Sequence, residues 1–177
     1  AVFMYHVFSD VEGLRIAVEM ERRGEDFYRR AAKVSRAPET VSLLNDLADD
    51  EVLHGREFQR LYDQACARRG GCDEAYDSET NAYLSAIAAD IVFPGGLMAL
   101  RQAGFEDPAA VLKAAIASEK DSILFYTELA VCARDAQARS TFEEIARQER
   151  GHLALLLNRL AEVSGQEVDK AGPMPER

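Results

Sequence analysis

Two glutamate–histidine pairs, Glu51-x-x-His54 and Glu149-x-x-His152, constrain this chain more than any other feature. The chain has three histidines, and two of them follow a glutamate at a spacing of three inside strongly helical sequence. Residues i and i+3 share a helix face, so each pair can aim two ligand atoms at one point. The two motifs lie 98 residues apart, and other residues repeat at the same offset. Glu21 stands 30 residues before Glu51, and Glu119 stands 30 before Glu149. Seven residues after these come Tyr28 and Tyr126, each preceded by a phenylalanine. One such pair would read as a surface acid and a core histidine. Four glutamates and two histidines repeated in order read as a two-metal site inside a helical bundle.

The 177 residues suffice to bury a sizeable core. A net charge of −10 argues against a nucleic-acid partner, which needs a basic face. The three cysteines, Cys66, Cys72 and Cys132, form no C-x-x-C pair and give no disulfide framework. Reduced thiols are therefore expected, in a reducing, cytoplasmic compartment. No apolar run approaches the ~18 residues of a membrane span. Residues 1–8 are apolar but lack a basic leading region and a cleavage site. They are expected to pack on the bundle or on a second subunit rather than to act as a signal peptide.

Ser9-Asp10-Val11-Glu12 has the form of a capping box, which opens a helix expected over 10–34. Its inward stripe is read as Leu14, Val18, Glu21, Glu25, Tyr28 and Ala32; because its repeat partner is Ile123, Glu25 is expected at the rim or, alternatively, as support behind the ligands. Pro38 starts a second helix over 39–68, whose inner line is Leu43, Leu44, Leu47, Glu51, His54, Phe58 and Leu61. Asp107-Pro108 caps a third helix ending near Ala133. Its stripe is Leu112, Ile116, Glu119, Ile123, Tyr126 and Ala130. A turn at Arg134-Asp135 leads to a fourth helix over 137–163, lined by Phe142, Ile145, Glu149, His152, Leu156 and Leu160. Residues 72–106 read as a long crossover with short helices, one expected over 79–90. The fold class is thus all-α: a four-helix bundle over 1–163 with one long connection between its second and third helices, the ferritin-like form. Residues 164–177 read as a flexible tail.

Four carboxylates at one point repel one another, and some stay protonated unless cations sit among them. Two divalent ions contribute +4 and cancel the four negative charges. Glu21 and His54 are assigned to one ion, and Glu119 and His152 to the other, with Glu51 and Glu149 bridging. Oxygen and imidazole donors suit iron, with manganese or zinc as possible substitutes. Tyr28 and Tyr126, two turns from Glu21 and Glu119, are candidate catalytic residues, as hydrogen-bond donors to a bridging carboxylate or as redox side chains. The H-E-x-x-H zinc-protease motif, a Ser/His/Asp set and a phosphate loop are all absent.

The stretch Glu19–Tyr28 (EMERRGEDFY), Glu51-x-x-His54, Ser118–Tyr126 (SEKDSILFY) and Glu149-x-x-His152 together resemble the rubrerythrin-like branch of the ferritin-like superfamily, over about residues 10–163. The resemblance implies a di-iron bundle with peroxidase or iron-oxidising activity, assembled as a homodimer or higher oligomer. Full rubrerythrins end in a rubredoxin domain with two cysteine pairs. This sequence shows none, which implies an external electron donor such as a rubredoxin-like protein. Rubrerythrins also carry an extra glutamate ligand one turn beyond the third-helix glutamate. Ser122 stands there, which implies a more symmetric ligand set of the bacterioferritin type. The alternative reading is a metal-binding or iron-handling protein without turnover, related to ferroxidase or storage functions.

Overall fold

The computed structural model describes residues 8–68, 76–80, 82–83, 105 and 107–165. Its four long helices are α1 (Asp10–Val34), α2 (Pro38–Ala67), α3 (Pro108–Cys132) and α4 (Ala136–Val163). Every one starts where the sequence supplies a cap or a proline. Ser9 Oγ accepts from Glu12 N at 3.2 Å, and Asp107 and Asp135 accept from the first-turn amides of α3 and α4. These contacts satisfy amides that have no partner within the helix. Pro38 and Pro108 lie in the first turn, where a missing N–H costs nothing. The Glu12 carboxylate, the other half of the expected capping box, pairs with Arg15 at 2.7 Å.

Short links, 35–37 and 133–135, make α1–α2 and α3–α4 antiparallel pairs, and most helix contact lies within each pair. The pairs then meet α1 on α3 and α2 on α4. Contacts across the bundle fix the directions. Tyr28 reaches Glu119 while Tyr126 reaches Glu21, so α1 and α3 run opposite ways. His54 meets Gln148 while His152 meets Asp50, so α2 and α4 do as well. It follows that α2 and α3 are parallel, and their connection must travel the length of the bundle. This is the reason for a long crossover. Most of the crossover lies outside the described residues. Residues 78–80 and 82–83 are helical, at the start of the helix expected over 79–90. The expected tail beyond 165 and the apolar residues 1–7 also lie outside the described residues. Phe8 is fully buried and meets Phe125 edge to face.

The inner stripes hold with local changes. Val18, Leu43, Ile123 and Leu160 are only partly buried, and Ala17, Gly24 and Ala115 face inward instead. Glu25 lies at the rim, 3.9 Å from Arg29. The apolar core forms two separate clusters. One gathers Phe8, Leu14, Phe58, Phe125 and Phe142, and the other Phe27, Leu44, Leu47, Leu112 and Leu156. The layer between them is where the acids lie.

Asp10 fastens the end of the bundle. Its carboxylate accepts from Arg134 N at 3.0 Å, Asp135 N at 2.8 Å and the Tyr76 hydroxyl at 2.5 Å. One buried acid thereby joins α1 to the α3–α4 turn and to the start of the crossover region. Removing a buried acceptor strands its donors, at about 1–3 kcal/mol per group. Asp10→Ala should therefore destabilise the fold by about 2 kcal/mol or more, read as a lower denaturant midpoint with an unchanged slope. An unshifted midpoint would show that this carboxylate is dispensable.

Candidate metal centre

Each helix sends glutamate into the middle layer. Glu21 comes from α1 and Glu119 from α3, while α2 supplies Glu51 with His54 and α4 supplies Glu149 with His152. All six are buried, the glutamates with between 1 and 6 % of their surface exposed. Acids so deeply buried are among the rarest core residues unless something pairs with them. The structure brings them together as two groups: Glu21, Glu51, His54 and Glu149, and Glu51, Glu119, Glu149 and His152. Within each group one ligand atom from every residue lies within 4.8 Å of the others. Glu51 and Glu149 belong to both. The six residues thus lie in one layer, with Glu51 and Glu149 common to both groups.

The two rings stack with centroids 5.6 Å apart, each turning Nδ1 toward the acids. His54 Nδ1 lies 3.0 Å from Glu149, 3.4 Å from Glu51 and 3.6 Å from Glu21. His152 Nδ1 lies 2.7 Å from Glu149 and 4.0 Å from Glu119. Despite these short distances, His54 Nδ1 and Glu51 Oε2 are buried without an aligned hydrogen-bond partner. Buried polar atoms left unpaired are costly. Two of them converging from one helix on a pocket of oxygen donors fit a cation.

The tyrosines lie elsewhere than on the shared carboxylates. The Tyr28 hydroxyl donates to Glu119, and the Tyr126 hydroxyl donates to Glu21, each on the helix of the other half. The sequence offers them a bond to a shared carboxylate or a redox role, and their hydrogen bonds go to the two lone glutamates. Periodicity places Tyr28 on the inner face of α1, but the antiparallel crossing of α3 decides which acid it meets. Burial, with the charges of Glu119 and Glu51, raises the Tyr28 pKa well above the usual phenol value. Burial, with Glu21 and Glu149, does the same for Tyr126. Both hydroxyls thus keep their protons and serve as donors.

Four participants were not anticipated. His54 Nε2 donates to Gln148 Oε1 at 2.9 Å, and His152 Nε2 donates to Asp50 Oδ2 at 3.1 Å. Placing the proton on Nε2 leaves the Nδ1 lone pair free for a metal. The available signal was that Asp50 and Gln148 each directly precede a motif glutamate, at the same repeat offset. Gly24 and Gly55 allow α1 and α2 to approach at the site. A Cβ on residue 24 would sit 3.2 Å from Glu51 Oε1, and one on residue 55 would sit 3.3 Å from the Glu21 Cβ.

Protons can take up part of the charge balance among these groups. Burial raises the Glu51 pKa well above its usual value, and the charges of Glu21 and Glu149 add to this. Burial and Glu149 do the same to Glu119. Burial opposes ionisation of Glu149 too, but the hydrogen bond from His152 and the nearby His54 imidazole hold it down to about 2. Burial would lower both imidazoles, yet the facing carboxylates win and raise them, Glu149 foremost for each.

A helical bundle with this buried carboxylate–histidine layer belongs structurally with the ferritin-like proteins, and the comparisons agree. The Rubrerythrin family model matches residues 110–175, which include α3 and α4. The structure resembles a Thermotoga maritima crystal structure, described as that of a candidate ferritin-like diiron-carboxylate protein, with a TM-score of 0.65. The two are 25% identical over 89% of this chain and 97% of that one. No curated protein matches the sequence. The chain thus has a ferritin-like fold, and its second half is similar to the Rubrerythrin family.

Metal uptake must displace the protons held at this layer. The metal-free form binds more of them, so raising the pH favours the metal-bound form. Loading with divalent metal near pH 7 should therefore release protons, visible with an indicator dye in weak buffer, and affinity should rise with pH. Uptake with no proton release would contradict the raised pKa values. Separately, Gly24→Ala should displace the Glu51 carboxylate. Metal affinity should fall by an order of magnitude or so while the helical circular-dichroism signal persists, in line with the usual sensitivity of metal sites to their supporting residues.

Proposed function

We propose that this chain is a di-iron carboxylate oxidoreductase that reduces peroxide or O₂ in a rubrerythrin-like manner, with iron cycling between ferrous and ferric states. The observation that carries this reading is that Glu51 and Glu149 lie in both ligand groups, which suits two ions held side by side. Glu21 and His54 would hold one ion, Glu119 and His152 the other, with Glu51 and Glu149 shared. Held by these residues, two ferrous ions would supply one electron each, matching the two electrons and two protons needed to reduce peroxide to water. Two divalent ions also offset the four carboxylate charges. Manganese and zinc would fit the same donors, but zinc has no redox cycle to offer.

The protein's own groups prepare the site. Tyr28 and Tyr126 act as positioning residues, holding Glu119 and Glu21 through hydroxyls that stay protonated. The aromatic flank of Phe58, Tyr126 and Phe142 on one side, and of Phe27, Tyr28 and Phe105 on the other, limits water at the layer. In a dry site, charged groups interact more strongly than they do in water. The same proposal places the chain in the cytoplasm as a homodimer or higher oligomer, supplied with electrons by an external donor such as a rubredoxin-like protein. Among the described residues no helix is long and apolar enough to cross a membrane.

Anaerobic loading with two ferrous ions per chain, followed by peroxide, should produce the near-ultraviolet and visible absorption of a coupled ferric pair. Added reductant should restore the ferrous form and sustain turnover. A single stoichiometric oxidation with no turnover would indicate iron handling instead. A loaded protein inert to both oxidants would sink the enzymatic reading. Glu51→Ala should lose both ions together, and the loss of one alone would argue against a shared ligand. Size-exclusion mass near that of two 19.6 kDa chains would disfavour a storage shell.

A further inference from the structure

The halves of the site are related by the 98-residue repeat, and the two tyrosine contacts obey it. Tyr28 on Glu119 mirrors Tyr126 on Glu21. The contact behind each imidazole breaks the symmetry. His152 Nε2 donates to a carboxylate, Asp50, whereas His54 Nε2 donates to a carboxamide, Gln148. Gln148 is held in that orientation because its Nε2 donates to Glu144 at 2.8 Å, and Glu144 is paired with Arg147. The difference is therefore built into the sequence rather than a choice of rotamer.

We propose that Asp50 and Gln148 make the two metal positions unequal, so that the position served by His152 binds a divalent ion more tightly and fills first. This rests on the di-metal reading above. A carboxylate accepting from the far nitrogen of an imidazole adds electron density to the metal-facing nitrogen and strengthens its bond to a cation. A neutral amide oxygen accepts the same hydrogen bond without contributing a charge, and hydrogen bonds with an ionised partner are about twice as strong. Asp50 also adds a negative charge close to its ion. Both effects favour the His152 position, because the acid nearest behind His54, Glu144, stands one residue further out, bonded to Gln148 and offset by its pair with Arg147. Asp50 and Gln148 are positioning residues: they act on the metal through a histidine.

The test uses the full chain stripped of metal and titrated anaerobically with Co²⁺, following the visible bands of the bound ion. The native chain should bind two Co²⁺ in two resolved steps, separated by about 10- to 100-fold in affinity, the usual effect of losing such a partner. Asp50→Asn keeps the shape and removes the charge. It should weaken the first step to the level of the second and leave the second unchanged. Gln148→Glu, made together with Glu144→Gln so that this pair remains one acid and one amide, should strengthen the second step. A purely structural role for residue 148 would not raise affinity. Two indistinguishable steps in the native chain, or an Asp50→Asn variant that changes neither step or weakens both alike, would overturn the inference while sparing the di-metal reading. Fewer than two ions per native chain would overturn both.

Discussion

Four carboxylates share one layer of an otherwise apolar bundle, and the rest of the molecule is arranged around the cost of keeping them there. A buried, ionised carboxylate loses several kcal/mol of hydration, and neighbouring acids add repulsion. Imidazolium and protonated acids meet that cost in the metal-free protein. Two cations would meet it better, since they replace shared protons with fixed charge. The same cost explains the division of the core. Apolar side chains pack above and below the acid layer, but not through it.

The bundle's topology follows from where the ligands must come from. Two short turns produce two antiparallel helix pairs, and each pair brings one lone glutamate and one glutamate–histidine set. Closing the layer requires the pairs to face each other with α1 against α3 and α2 against α4. That orientation makes α2 and α3 parallel. A long connection is the geometric consequence, and the short links elsewhere leave it as the one place where extra chain is needed. Asp10, which clamps the α3–α4 turn onto the start of α1, holds the pairs in register at one end.

Much of this was legible in the sequence because helical periodicity is a local property. Glu21, Glu51, His54, Glu119, Glu149 and His152 fall on inner faces by spacing alone, and the repeat marks them as a set. Helix starts were legible for the same reason: Ser9 and Asp107 accept from amides two or three positions on, and Pro38 stands in its helix's first turn. Glu25 could be placed at the rim because its counterpart Ile123 removed any reason to bury it. Less legible were the drifts of Val18, Ile123 and Leu43 out of the core. Each depends on how closely a neighbouring helix approaches, and Gly24 and Gly55 set that approach between α1 and α2.

By itself, then, the amino-acid order determined the six candidate ligands, the four helices and the likeness of the two halves, since all of these rest on intervals along one chain. Tertiary structure alone decided the partners across the bundle: Tyr28 with Glu119 rather than a shared acid, Asp50 behind His152, and Gln148 behind His54. Spacing fixes the face on which a side chain sits. What it meets there depends on which helix lies opposite, in which direction it runs and at what height, and those are set only when the separate helices pack.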